Sequence, residues 1–142
     1  MATDPNAQTI AAESVVGESA REVVGSRYEI LGLLGAGGMG SVYRARDREL
    51  DELVAVKVLR PELLGSPGAL ERFRRELKLA RRVTHPNVAR VFDMSEHGGD
   101  KILTMELVEG EALSALLARE GPLPVSRAID IASSIAAGVG AA

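Results

Sequence analysis

Apolar and polar residues follow two different rhythms along this chain. Tyr28 to Leu34 (Tyr-Glu-Ile-Leu-Gly-Leu-Leu) is strand-like and feeds directly into a run of glycines. Ser41 to Arg46 carries the β-forming pair Val42 and Tyr43. Asp47 to Glu52 is a charged turn, and Leu53 to Leu59 is an apolar run broken only by Lys57. Pro61 stops that strand. In the loop Gly65-Ser66-Pro67-Gly68, Ser66 is placed as a helix N-cap with Pro67 in the first turn. The rhythm then changes. Leu70, Phe73, Leu77 and Ala80 recur at spacings of three and four and predict a helix from about Pro67 to Arg82. Val88 to Met94 and Lys101 to Val108 read as two further strands joined by a His97-Gly98-Gly99-Asp100 hairpin turn. A short helix over Ala112 to Arg119 and a last helix over Val125 to Ala142 complete the series. On the last one, Ala128, Ala132, Ile135 and Val139 share a face.

Composition narrows the class without deciding it. A chain of 142 residues has room for one domain with a real core. Its 46% apolar and 26% charged residues are an ordinary globular balance. A net charge of −3 lacks the basic footprint of a nucleic-acid binder. There are no cysteines, which excludes disulfides and thiolate metal sites and fits a cytoplasmic protein. No apolar run is long enough to cross a bilayer. Asp4, Glu13 and Glu18 stand where a signal peptide would need a basic patch and an uncharged apolar segment. Residues 1–26, rich in Ala, Ser, Thr and Glu, are expected to be a flexible leader. His85 and His97 lie apart, with no acidic or thiol cluster, so no metal site is expected.

The chemistry concentrates between Gly35 and Lys57. Gly35-Ala36-Gly37-Gly38-Met39-Gly40 leaves little side chain above the backbone, so N–H groups can approach an anion closely. Lys57 arrives on Val54-Ala55-Val56, and a lysine on a strand apolar on both faces needs a partner in a cleft. Glu76, on the helix near Leu77 and Ala80, is a candidate for that partner. Two owners of such a phosphate site compete. A G-x-G-x-x-G after a strand can open a dinucleotide-binding βαβ unit, and Glu62 lies near the distance of its ribose-binding carboxylate. Against this, the apolar residues of Ser41 to Leu50 share no helical face. The hairpin between Met94 and Lys101 also implies antiparallel pairing.

Taken together, the residues resemble the N-terminal lobe of a eukaryotic-like serine/threonine protein kinase of the bacterial branch. Gly35, Gly37, Gly40 and Val42 match the G-x-G-x-x-G-x-V loop over the ATP phosphates, with Gly38 inside it. Val54-Ala55-Val56-Lys57 matches the strand whose lysine contacts the α- and β-phosphates. Glu76, in Phe73-Arg74-Arg75-Glu76, matches the glutamate of the helix that family calls αC, which pairs with that lysine. His85-Pro86-Asn87 resembles the loop after it. Met105-Glu106-Leu107-Val108 resembles the gatekeeper and hinge, where the Glu106 carbonyl and Val108 amide would bond the adenine edge while Val42 and Ala55 pack on its faces.

The resemblance implies an α+β fold, a five-stranded antiparallel sheet with one helix, followed by the first helices of a helical lobe. Residues 27–109 would be the N-lobe with its hinge, and 110–142 the beginning of the C-lobe, with helices like αD and αE. It implies ATP with Mg²⁺ as cofactor and proteins as substrates of the full-length form, with no nucleic acid or membrane segment involved. The sequence contains no His-Arg-Asp and no Asp-Phe-Gly, so the catalytic aspartate and the magnesium ligands are not among these residues. The chain alone is expected to be inactive. It reads as a truncated kinase whose last helix has an uncovered apolar face, which predicts poor solubility or self-association. The alternative is a non-catalytic nucleotide-binding or protein-interaction module. The basic run Arg72, Arg74, Arg75, Lys78, Arg81 and Arg82 reads as a solvated helix face, with Arg72 a possible partner for a phosphorylated activation loop.

Overall fold

The computed structural model describes residues 27–142; the expected leader over 1–26 lies outside them. Five strands form one antiparallel sheet: β1 (Tyr28–Gly37), β2 (Gly40–Asp47), β3 (Glu52–Leu59), β4 (Val91–His97) and β5 (Asp100–Glu106), in the spatial order β1-β2-β3-β5-β4. Three helices accompany them: α1 (Ala69–Ala80), α2 (Leu113–Glu120) and α3 (Val125–Ala141). The all-antiparallel pairing removes the dinucleotide-binding alternative, which needs a parallel sheet with crossover helices.

The sheet is curled. Tyr28 sits on the edge strand β1, yet its hydroxyl lies 3.2 Å from Thr104 Oγ1 on β5, and its ring meets His97 edge-on at 6.1 Å. Three strand spacings separate β1 from β5, about 14 Å in a flat sheet, so only strong coiling brings them together. The face thus closed holds the core: Tyr28, Ala45, Val54, Val56 and Ile102, with Ile30 and Val58 packed against it. At its rim the buried Asp47 carboxylate accepts from Arg27 Nε at 3.0 and 3.1 Å and from one terminal guanidinium nitrogen at 2.7 Å. It also accepts from the backbone N–H of Glu49 at 3.0 Å, which fixes the β2–β3 turn. The Arg27 guanidinium holds the Asp47 carboxyl below the ordinary carboxylate range, against the opposing effect of burial.

Several element boundaries differ from the sequence reading. The first strand runs on through Gly37, and the glycines form a tight hairpin turning at Gly38 and Met39 rather than an open loop. A 3-10 turn, Pro61–Leu64, follows β3 where the proline was expected only to end it. Ser66 is not the cap of α1. Gly68 occupies that position in the left-handed region, and the Ser66 carbonyl instead accepts from Ala69 N at 3.0 Å. On α3 the expected face is not the one that packs. Ile135 and Val139 are exposed, whereas Gly138 is buried against the Asn87–Val88 backbone and the Asn87 side chain donates to the Ser134 carbonyl at 3.0 Å. A glycine brings the helix closer to a loop than any alanine or valine stripe would allow.

Candidate functional site

The ladder register decides which side chains share a face, because residues directly opposite one another point the same way. Val42 lies opposite Lys57, Lys57 opposite Leu103, and Leu103 opposite Met94. One step along, Arg44, Ala55, Met105 and Val91 form a parallel row. Val42, Ala55, Lys57 and Met105 therefore stand together on one face, the reverse of the core face. Gly35 is opposite Val42 on the outer strand. Ala55 is buried, while Val42, Lys57 and Met105 are half-buried, so this face has a small apolar floor with Lys57 at one edge and the exposed Arg44 at another.

The four glycines divide into two kinds. A methyl group at Gly35, Gly37 or Gly38 would meet nothing within 4 Å, and all three are exposed. Backbone there is free to approach a ligand. Gly40 is different. It is buried at φ +139°, and a Cβ there would lie 1.9 Å from the Val58 carbonyl oxygen. Gly40 lets β2 lie against β3 as the hairpin closes, and Arg60 N donates to the Met39 carbonyl at 3.2 Å to hold the tip down. Motif matching assigns all these glycines to one task; the distances assign Gly40 to the scaffold.

At the end of β5 the chain is anchored before it leaves the sheet. Glu106 N donates to the Arg90 carbonyl at 2.8 Å, and Arg90 N donates to Glu106 Oε2 at 3.0 Å. Arg44 on β2 makes an ion pair with Glu109 at 3.5 Å. Glu106 and Val108 are both exposed, with Val108 at 66%, so the edge of this segment is open to a ligand. Neither Arg90 nor Arg44 carried a sequence signal for this bracing.

Lys57 and Glu76 are not brought together. No salt bridge joins them among the described residues, and the polar neighbour of Lys57 Nζ is Met39 Sδ at 4.0 Å. Glu76 is exposed on α1. The reason lies in the packing of α1. Its expected apolar residues Leu70, Phe73 and Leu77 are only half-buried, Leu79 is 59% exposed, and the helix makes its main contacts with the short turn at Pro61–Leu64 rather than with the sheet. No cluster of His, Asp or Glu that could hold a metal ion occurs among the described residues. Likewise, no described helix is long and apolar enough to cross a membrane.

Comparison with known proteins bears on the whole of this arrangement. The family model described as protein kinase domain matches residues 28–141. The serine/threonine-protein kinase pkn2 of Myxococcus xanthus is 42% identical over 119 residues, covering 84% of this chain and 14% of the relative. The serine/threonine-protein kinase PrkC of Bacillus subtilis is 36% identical over 116 residues, covering 82% and 18% respectively. The crystal structure of the Mycobacterium tuberculosis PknI kinase domain superimposes with a TM-score of 0.69 at 29% identity, covering 82% of this chain and 48% of that one. The chain thus spans less than a fifth of these two relatives and about half of the solved kinase domain.

Proposed function

The chain belongs to the protein kinase domain family, and on that premise we propose that it supplies the ATP-covering part of a bacterial-type serine/threonine protein kinase. Residues 27–109 are the N-lobe and hinge, and residues 110–142 begin the C-lobe. The full-length form transfers the ATP γ-phosphate to protein hydroxyls in the cytoplasm. The observation that carries the reading is the pair of cross-strand rows, which sets Val42, Ala55 and Met105 beside Lys57 beneath an unobstructed glycine hairpin. An apolar floor of that size suits a flat heterocycle, and an ammonium at its edge suits the phosphates attached to it.

Within that site Val42 and Ala55 pack on the side of the adenine that lies against the sheet. The Glu106 carbonyl accepts from, and the Val108 amide donates to, its polar edge. Gly35, Gly37 and Gly38 offer backbone N–H groups to the phosphates, and Lys57 offers its charge to the α- and β-phosphate oxygens. Glu76 becomes the partner of Lys57 when α1 turns toward the sheet, and it then fixes the ammonium in place. Mg²⁺ would accompany the nucleotide, but no cluster of side chains that could hold it occurs among the described residues, so no step is assigned to it.

The test uses the 142-residue chain. An amine-reactive acyl ester should label Lys57, and millimolar Mg-ATP should slow that labelling. Ala55→Phe, which fills the floor, should abolish the protection. Labelling of Lys57 that ATP leaves unchanged would refute the assignment. With labelled ATP and Mg²⁺ the chain alone should transfer no phosphate, and a transfer lost in Lys57→Ala would show that the chemistry needs fewer groups than argued.

A further inference from the structure

The contact of Lys57 is with the sulfur of a residue that stands open to solvent. Met39 sits at the tip of the glycine hairpin and is 62% exposed. Met94 and Met105 are both half-buried in the sheet. The Met39 carbonyl is held by Arg60 N, so the residue is fixed at its backbone while its side chain projects beyond it. A thioether is a weak acceptor, and at 4.0 Å it holds the Lys57 ammonium only loosely.

We propose that Met39 is a peroxide-sensitive modification site, and that its sulfoxide oxygen captures the Lys57 ammonium. The sulfur lone pair attacks one oxygen of hydrogen peroxide. An S–O bond forms as the O–O bond breaks, the displaced hydroxide takes up the remaining proton, and water leaves. Sulfur loses two electrons and the peroxide gains them. The two glycines that precede it offer no steric obstacle, since nothing lies within 4 Å of where a side chain on Gly37 or Gly38 would start. The product is a strongly polar acceptor in place of a weak one. An oxygen placed on the sulfur toward Nζ shortens the 4.0 Å separation to the range of a charge-assisted hydrogen bond, about 2.7–2.9 Å. On the nucleotide reading above, an ammonium engaged in this way is withdrawn from the phosphates, and peroxide would lower ATP affinity through a single atom at the hairpin tip.

The experiment treats the full chain with graded hydrogen peroxide and follows three readouts. Peptide mass spectrometry should show Met39 gaining one oxygen several times faster than Met94 or Met105. Acyl-ester labelling of Lys57 should then fall several-fold, and recover after treatment with methionine sulfoxide reductase. In Met39→Leu, peroxide should leave Lys57 labelling as it was before treatment. Equal oxidation rates for the three methionines, or unchanged Lys57 labelling once Met39 is oxidised, would overturn the proposal. The protection of Lys57 by ATP in the untreated chain is scored separately. Its absence would remove the nucleotide reading while leaving the Met39–Lys57 result to stand or fall by itself.

Discussion

Gly40→Ala should be among the most damaging single substitutions in this chain, although it adds only a methyl group. Two separate costs arise. The backbone at φ +139° lies where only glycine is comfortable, and holding alanine there costs about 1–3 kcal/mol. The new Cβ would also lie 1.9 Å from the Val58 oxygen, 3.0 Å from its carbon and 3.2 Å from Leu59 Cα, all of them backbone atoms. Relief requires β2 and β3 to part by more than an ångström at this point. Such a shift carries an N–H···O bond out of its working range, at about 1 kcal/mol for each bond lost, and the Arg60–Met39 bond at the same corner goes with it. The sum is about 3–5 kcal/mol, comparable to the whole stability of a marginal domain. Gly37→Ala is the control: same motif, same change, exposed, no neighbour within 4 Å, and an expected cost within about 0.5 kcal/mol. Thermal unfolding followed by circular dichroism should show Gly40→Ala melting lower by on the order of 15 °C or more, with Gly37→Ala near the parent. If the two variants melt together, the close approach of β2 to β3 does not exist in solution, and the division of the glycines into scaffold and site is wrong.

Two further outcomes follow from the packing. Asp47 has a folded-state pKa below its unfolded value, so its contribution to stability is fully present above about pH 4 and is lost as pH falls through the folded value. Asp47→Asn should cost about 2 kcal/mol at neutral pH, the worth of hydrogen bonds to a charged group, and should flatten the acid limb of the urea midpoint against pH; an acid limb identical to the parent would refute the role given to Arg27 and Asp47. Gly138→Leu should lever α3 off the Asn87–Val88 segment at about 1–3 kcal/mol, whereas Gly138→Ala sets a helix-propensity gain of about 1 kcal/mol against a Cβ 2.9 Å from the Asn87 backbone oxygen, which forces a small shift of helix against loop. Solvent exchange of the Asn87 side-chain amide protons should speed up in the leucine variant alone, and an unchanged rate there would contradict the contact.

What the sequence revealed and what it hid follow from the range of each interaction. Strand alternation, the His97–Asp100 hairpin and the three-and-four spacing of Leu70, Phe73 and Leu77 are local, and each appears as an element in the structure. The spacing of Val42, Ala55 and Lys57 needed only β-hairpin geometry to become a face. By contrast, Ser66 looked like a helix cap because capping chemistry is read from residue type, and the chain placed Gly68 there instead. Val139 looked like a core residue because apolarity was read as burial, yet it is 71% exposed, and the buried position is Gly138, which has no side chain to signal it. Arg27–Asp47 and Tyr28–Thr104 join positions 20 and 76 residues apart, and nothing local announces either.

The same distinction explains why Lys57 is in place and Glu76 is not. Lys57 is held by a ladder on both sides, opposite Val42 on β2 and Leu103 on β5, so its backbone cannot drift without breaking the sheet. Glu76 rides on a helix that begins at a glycine cap without a side-chain bond and leans chiefly on the Pro61–Leu64 turn. Its partly exposed apolar face, Leu70, Phe73 and Leu77, gains by any movement that buries it. A Lys–Glu pair is worth little when exposed, so the packing of α1 and not the attraction of the two charges decides where Glu76 stands. The sheet part of the proposed site is built into the strand register, whereas the place of Glu76 depends on how α1 packs.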